Sequence, residues 1–447
     1  MSKLRQDGLY LLAMGIAALV LFGGVLRFVA KDSMADFKVV FYGTKLLVHH
    51  GDPYKESDLQ SFYKAESLGS AKHLKSETLY VNLPTMFLFM APFTVLPVGL
   101  AGVLWMLATA ASLTLGGVLM WNLAADHAPR MAGGLIALLL ANGAIVLGNG
   151  NPAGIVIGLC AIAVWCFLRE RFVLAGIVCM AVSLAMKPHD AGLVWLCFLL
   201  SGPIYRKRAL QTLAVTAALA LVAILGVTQV APGWMSEMRS NLAEISVRGG
   251  NNDPGPAGAT SKSATPEVIT DLQAVLSVFR DEPGFYNPAT YILCGGLLLV
   301  WLFVTLRSGP SQALTWLALA TVAPLTMLIT YHRAYDAKIL LLSVPACAML
   351  WAEGGAKAKL ALLVTTLGVL CSGEIPLAIL FSMTKSLSAT GLLGEIRTVL
   401  LARQAPLALL AMSVFYLLIY VQKARGVGAT KAQTGDVHRE ADIPATC

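Results

Sequence analysis

The sequence predicts an all-α polytopic membrane protein, a bundle of about twelve transmembrane helices with two large outer-face loops. Three observations predict it. Of 447 residues, 57% are apolar and only 13% are charged, whereas soluble domains carry about a quarter charged residues. The apolar residues gather in twelve runs on the scale of a bilayer core, roughly 30 Å thick. The basic residues cluster in short connections between alternate runs, as the positive-inside rule requires of cytoplasmic loops. This balance excludes a soluble domain, a disordered chain and a secreted disulfide scaffold.

The first run, Leu9–Val29, is as long as a bilayer core requires. Ala30–Lys31–Asp32–Ser33–Met34 after it makes a poor small-residue cleavage site, so the run reads as a retained helix. Lys3 and Arg5 then hold the N-terminus in the cytoplasm. Further runs lie at about 99–123, 131–147, 151–168, 172–187, 189–202, 209–230, 288–306, 312–330, 335–351, 358–380 and 403–421. Leu83–Pro97 is also apolar, but Pro84, Pro92 and Pro97 interrupt it. Counting it as a span would put every later basic cluster outside, so it reads as re-entrant or interfacial.

With twelve spans, the short cytoplasmic connections hold Arg130, Arg169 with Arg171, Arg206–Lys207–Arg208, Arg307, Lys357 with Lys359, and Lys423 with Arg425. Two long segments, 30–82 and 231–287, then face outward. The second contains Gly249–Gly250–Asn251–Asn252–Asp253–Pro254–Gly255–Pro256, irregular by composition, and a short helix near Pro266–Phe279. Residues 1–422 form the transmembrane domain, and 423–447 a disordered cytoplasmic tail. The net charge of +8 is mostly topological, and no concentrated basic face points to nucleic acid. Seven of the eight cysteines sit in apolar runs, outside any CxxC or His-flanked ligand spacing, and read as packing residues.

Polar residues outside the long loops gather at the outer helix ends. Lys187, Arg333 and Lys338 run against the positive-inside tendency there, so a carboxylate or a bound anion must compensate them. Lys187 either snorkels to the headgroups or serves a function at membrane depth. Pro188 beside it ends a helix and exposes carbonyls that need protein or water. His332 and Arg333 have Asp336 as an ion-pair partner at i+4 and i+3, an arrangement compatible with phosphate contact. Lys, His and Arg on one wet rim are what a lipid-linked phosphate or diphosphate requires.

An enzyme would need a base beside that anion site. Asp36 follows the first span and precedes Phe37, Val39 and Val40; a carboxylate there can take the proton of an acceptor hydroxyl. Its bland alternatives are a helix cap or a solvated loop acid, with Asp32 and Asp52 as local rivals. Glu374, in or near a span, is open to polar pairing in the bundle or to catalysis. Asn149–Gly150–Asn151–Pro152 joins two helices tightly, either as a plain Gly/Asn turn or with its amides on a sugar or a carboxylate. No Walker loop, GxSxG elbow, HExxH helix or GxGxxG fingerprint is present.

Asp36 with Phe41–Tyr42–Gly43–Thr44 and Gly51–Asp52–Pro53–Tyr54 resembles the first outer loop of bacterial glycosyltransferase family 87. Tyr80–Val81–Asn82–Leu83–Pro84–Thr85–Met86–Phe87, with Ala91–Pro92, is similar to that family's tyrosine/proline-rich stretch. Asn149–Gly150–Asn151, Lys187–Pro188 and Tyr331–His332–Arg333–Ala334–Tyr335–Asp336 stand where its later motifs fall, so the resemblance spans most of residues 30–340.

The resemblance implies a GT-C-type bundle and a hexosyltransferase similar to polyprenol-phosphate-mannose-dependent mannosyltransferases. Such an enzyme passes a hexose, here mannose, from a polyprenyl phosphate to a lipid or glycan acceptor. It works on the outer face of the bacterial cytoplasmic membrane. By resemblance, Asp36 is the base, and Lys187, His332, Arg333 and Lys338 meet the donor phosphate. Asn149, Asn151, His189, Tyr331 and Asp336 would line the substrate. The sugar lipid is a co-substrate, no cofactor is implied, and no metal is required. The partners expected are the donor, the acceptor and membrane lipids, without nucleic acid. Asn149 and His189 depart from the family pattern, which bears on the identity of the sugar. The rival is a secondary transporter, although transporters commonly repeat a half with broken helices at the midplane, and here polar residues keep to one face.

Overall fold

The computed structural model describes residues 2–29, 34–65, 79–258, 269–309, 311–373 and 391–440. Asp32, Ser33 and Glu374, weighed above as acids or flanking polar groups, lie outside the described residues. A backbone in lipid can satisfy its polar groups only internally. Accordingly, the regular structure among the described residues is helical apart from one isolated antiparallel bridge, Ile269 with Arg333.

Seven helices are long and apolar enough to cross a membrane: Lys3–Arg27, Val98–Ala124, Pro203–Val230, Pro283–Arg307, Gln312–Ile329, Ala334–Glu353 and Gln404–Gly426. Four apolar helices are shorter, namely Pro129–Ala141, Ala153–Leu168, Val173–Met186 and Pro188–Leu200. Gly355–Cys371 adds one of 17 residues. Seven described helices therefore reach crossing length where the sequence predicts about twelve spans, and the five shorter apolar helices fall on the remaining predicted runs. The difference has local causes. Asn142–Gly143 divides the run at 131–147 into Pro129–Ala141 and Ala144–Gly148. Pro188 sits at the start of its helix, where proline is tolerated, at the boundary the sequence already places between the runs 172–187 and 189–202, both of which stay short.

Leu83–Pro97 is not one helix. It comprises Thr85–Met90 and the short 3-10 turn Ala91–Phe93. Six residues rise about 9 Å, far short of a bilayer core. The final helix runs Gln404–Glu440, so 423–440 is helical where a disordered tail is expected. The helix extends from turns already nucleated upstream, through Lys, Ala and Gln but also through Gly426, Gly428 and Gly435, which are poor helix formers. In the second long loop the expected helix is Leu272–Phe279, started by Asp271, whose Oδ1 accepts from the Ala274 amide at 3.0 Å. Trp234–Ile245 is a further helix there.

Burial separates centre from rim. Only 11% of the apolar window of Pro203–Val230 is buried, against 83% for Gln312–Ile329 and 94% for Ala334–Glu353. An apolar helix left that bare needs lipid around it, whereas the other two form the middle of the bundle. Small residues set the spacing between helices, since lipid offers no hydrophobic drive for their association. A Cβ on Gly158 would lie 2.4 Å from the Ser112 backbone, where Ala153–Leu168 meets Val98–Ala124.

At one end of the bundle a separate aromatic core unites the two long loops. Tyr80 stacks on Phe87 at 5.0 Å, and Tyr54 packs edge-on to both. The Asn241 amide, from the second loop, donates to the carbonyls of Tyr54 and Tyr80 at 2.9 and 3.1 Å. The opposite helix ends carry basic residues with acidic partners: Arg169 with Asp126 at 3.0 Å, Arg208 with Glu170 at 3.6 Å, and Lys423 with Glu353.

Candidate functional site

Three interruptions of helix meet at the loop-bearing end. The first lies between Ala144–Gly148 and Ala153–Leu168. Gly150 turns there with φ +65°, a conformation open to glycine at little cost. A Cβ would stand 2.6 Å from Phe37 Cβ. The first turn of the Ala35–Val48 helix rests on this corner: Met34 N donates to Gly148 O at 2.7 Å, and Phe37 N to Asn149 O at 3.2 Å. Trp105 Nε1 donates to Gly150 O at 2.8 Å from the other side.

That seating brings Asp36 to Asn151. The Asn151 Oδ1 accepts from Ala153 N at 2.9 Å, which directs its amide nitrogen away, 2.8 Å from Asp36 Oδ2. The Asn151 amide of the Asn-Gly-Asn turn thus meets a carboxylate. Asn149 contributes its backbone carbonyl to the Ala35–Val48 helix.

The second interruption is Lys187, between Val173–Met186 and Pro188–Leu200. The third runs from Thr330 to Asp336. There the chain leaves Gln312–Ile329 extended, is held by Thr270 N donating to His332 O at 2.9 Å, and enters the 3-10 helix Ala334–Ser343. The Lys187 ammonium joins the two corners, 2.7 Å from Asp336 Oδ1 and 3.0 Å from Asp190 Oδ2. Its side chain is 16% exposed, so snorkelling is not its geometry. Asp336 Oδ2 accepts from the Arg333 backbone N–H at 2.9 Å. His332, entirely buried, has Nδ1 2.8 Å from Thr330 O and Nε2 3.0 Å from Asp190 Oδ1. The ion pair foreseen between His332 and Asp336 therefore gives way to His332 with Asp190 and Lys187 with Asp336. Proximity along the chain loses to a partner that folding brings closer.

Around this cluster, the His189 ring lies 5.1 Å from that of His332 and its side chain is 42% exposed. Arg333 donates through Nε to the Tyr331 hydroxyl and through Nη2 to Asn251 O at 3.4 Å. The Asp36 carboxylate acts electrostatically on both Tyr331 and Tyr335, linking the first corner to the third. Lys338 is 1% exposed, its stem against Gly143 where the Pro129–Ala141 helix ends.

Burial would lower the His332 pKa, but the Asp190 carboxylate, followed by Asp336, outweighs it and holds the imidazole above its ordinary value. Asp271, behind His332, is pushed up to about 7 by burial, against the Ala274 N–H, His332 and Arg403. Arg403 is brought down to about 10, again by burial, with Asp271 opposing. It donates to the carbonyl of Ala274 and to Ser277 Oγ at 3.1 Å, tying Leu272–Phe279 to the start of the last helix.

His189, Asp190 and His332 each bring one ligand atom to within 4.8 Å of the others. Such spacing could span a divalent ion. Yet the Lys187 ammonium already supplies positive charge to Asp190, and a dication beside it would be repelled. The trio fits an ion-pair cluster better than a metal centre.

Every site residue predicted from sequence thus belongs to one of these corners or, for Lys338, to a buried position below them. Sequence reasoning passed over Asp190, Asp271 and Arg403 as site residues. Asp190 had a local signal, lying one helical turn after Lys187 and beside Pro188. Asp271 and Arg403 come from remote segments and had none.

Residues 80–330 match the family profile of glycosyltransferase family 87. No curated protein and no solved structure matches the chain. The matched stretch holds Asn149, Asn151 and Lys187, whereas Asp36 and the Tyr331–Asp336 corner lie outside it and join through the hydrogen bond to Asn151 and the ion pair to Lys187.

Proposed function

The chain belongs to glycosyltransferase family 87, and from that premise we propose that it transfers a hexose, mannose by family resemblance, from a polyprenyl phosphate to a lipid or glycan hydroxyl. Family membership and seven membrane-length apolar helices make it a membrane glycosyltransferase. The finer reading is supported by one arrangement: Asp36, oriented by Asn151, acts electrostatically on Tyr331 and Tyr335, and the Lys187 ammonium lies 5.8 Å from the Tyr335 ring.

In this reading Asp36 accepts the proton of the acceptor hydroxyl. The freed oxygen attacks the anomeric carbon from the side opposite the phosphate, giving inversion. The bond between that carbon and the phosphate oxygen breaks, and its electrons leave with the polyprenyl phosphate. Lys187, His332 and Arg333 stabilise the charge that accumulates there, where oriented cations in a site shielded from water act most strongly. His189, Tyr331, Asp336 and Asn149 shape the sugar site, and Lys338 adds positive potential from below. If the five shorter apolar helices cross as well, making twelve, the positive-inside rule would put the basic helix ends and both termini in the cytoplasm and this site on the outer face.

The test is transfer of radiolabelled sugar from synthetic polyprenyl-phosphate donors in membranes containing the protein. Wild type should form glycosidic product and Asp36→Ala none at equal expression. Uptake into sealed vesicles with no product would replace this reading by transport.

A further inference from the structure

We propose that Asp190 is a positioning residue that keeps His332 as a buried imidazolium, so that His332 serves the reaction as a fixed positive charge and not as an acid or base. The inference rests on the site assigned above but concerns a residue and a charge state that this reading leaves open.

The two ring nitrogens of His332 face only acceptors. Nδ1 lies 2.8 Å from the Thr330 carbonyl, which can only accept, so that nitrogen carries a proton. Nε2 lies 3.0 Å from Asp190 Oδ1. The contact is one of charge at close range, without an aligned hydrogen bond, and an ionised Asp190 at that distance favours a second proton on the imidazole. The other Asp190 oxygen stands 3.0 Å from the Lys187 ammonium, a contact that favours the ionised carboxylate. The proton therefore belongs on Nε2.

The charge balance agrees. Lys187 and His332 supply two positive charges and Asp190 and Asp336 two negative ones, all within one buried chain of contacts. Within these direct contacts a neutral His332 would leave the Asp190 oxygen nearest it without a positive partner on that side, a costly state in low dielectric. The other titratable groups facing His332 are His189, at a ring distance of 5.1 Å, and Asp271 from the start of Leu272–Phe279, with Arg403 behind it. His189 opposes the imidazolium when charged, and Asp271 favours it when ionised. The backbone keeps the ring in place, because the His332 carbonyl accepts from Thr270 N at 2.9 Å.

The consequence for the reaction is specific. An imidazolium already protonated on both nitrogens cannot collect a proton from the acceptor, which leaves that task to Asp36. It can stabilise the departing phosphate until it loses its own proton at high pH. The same charge favours the folded state below the ordinary histidine value near 6.5, and this contribution is lost as pH rises through the raised one.

Histidine-selective 15N NMR of the full chain in lipid bilayers tests the assignment without any substrate, so its outcome is separate from whether the transferase reading holds. The His332 signal is identified by its absence in His332→Gln. Wild type should show both nitrogens protonated at pH 7, with a titration midpoint above the ordinary value. Asp190→Asn should lower that midpoint at least tenfold in proton affinity, and Asp190→Glu should restore part of it. In the transfer assay, Asp190→Asn should bring the alkaline limb of the pH–rate profile down by the same interval, which a loss of packing alone would not do. Should Asp190→Asn fail to fold, the wild-type titration decides by itself. A neutral His332 at pH 7, an unmoved midpoint in folded Asp190→Asn, or a joint shift of the His189 and His332 signals on adding one equivalent of Zn²⁺ would each overturn the proposal.

Discussion

Replacing Asn151 by alanine removes two hydrogen bonds with different consequences. One runs from Nδ2 to Asp36 Oδ2 at 2.8 Å, the other from Ala153 N to Oδ1 at 2.9 Å. The second holds the first amide of the Ala153–Leu168 helix, and its loss should lower stability by about 1 kcal/mol. The first is charge-assisted; bonds of that kind contribute about 1.5–3 kcal/mol. If the whole of it serves to orient Asp36 in the transition state, the rate of transfer should fall roughly 10- to 150-fold. Steady-state transfer from a polyprenyl-phosphate hexose, with expression and thermal midpoint measured alongside, separates the two effects. Asn151→Asp sharpens the test. It keeps an oxygen for Ala153 N but sets two carboxylates at hydrogen-bond distance, where they cannot both ionise easily. Its rate should be low at neutral pH and recover as pH rises. Wild-type kcat in Asn151→Ala, in protein of normal stability, would refute the assignment of Asp36 as the oriented base.

Other expectations follow from the same geometry. Asp36→Asn should reduce transfer by about 10²–10⁴-fold, the usual contribution of a general base, with an unchanged thermal midpoint; a small effect would remove Asp36 from that role. Gly150→Ala must adopt φ +65° with its Cβ 2.6 Å from Phe37 Cβ. It should cost at least about 1–2 kcal/mol and lower activity more than a comparable change remote from the Ala35–Val48 helix, as thermal melts and transfer assays will show. Asp271 keeps its proton to about pH 7 in the folded chain but only to about 4 when unfolded. The folded state therefore binds the extra proton between those values, and its stability falls as pH rises across that window. Asp271→Asn, which still offers an oxygen to Ala274 N, should flatten this dependence in melts recorded from pH 4 to 8.

The helical class and the polar corners were legible because they are local properties. An apolar run, a proline at a helix start or an Asn-Gly turn constrains the backbone within a few residues. Asp36 stood out as an acid after an apolar run, and Lys187 as a cation at membrane depth. The extent of the helices was less legible. The Asn142–Gly143 break lies inside a run that reads as continuously apolar, and the last helix continues to Glu440 through residues whose polarity suggests a tail.

Pairing was the part hidden from the sequence. His332 and Arg333 have Asp336 within one helical turn, which invites a local ion pair, yet the chain enters a 3-10 helix at that point and Asp336 turns to Lys187, 149 positions away. Asp190 becomes the partner of His332 only once the corners at Lys187 and His332 face each other. Composition and periodicity determined that this chain must be a helical bundle in lipid, since the cost of burying backbone and charge is set residue by residue. Which carboxylate meets which cation was left to the tertiary structure, because electrostatic interaction in a buried site depends on distances in space, and sequence separation says nothing about those.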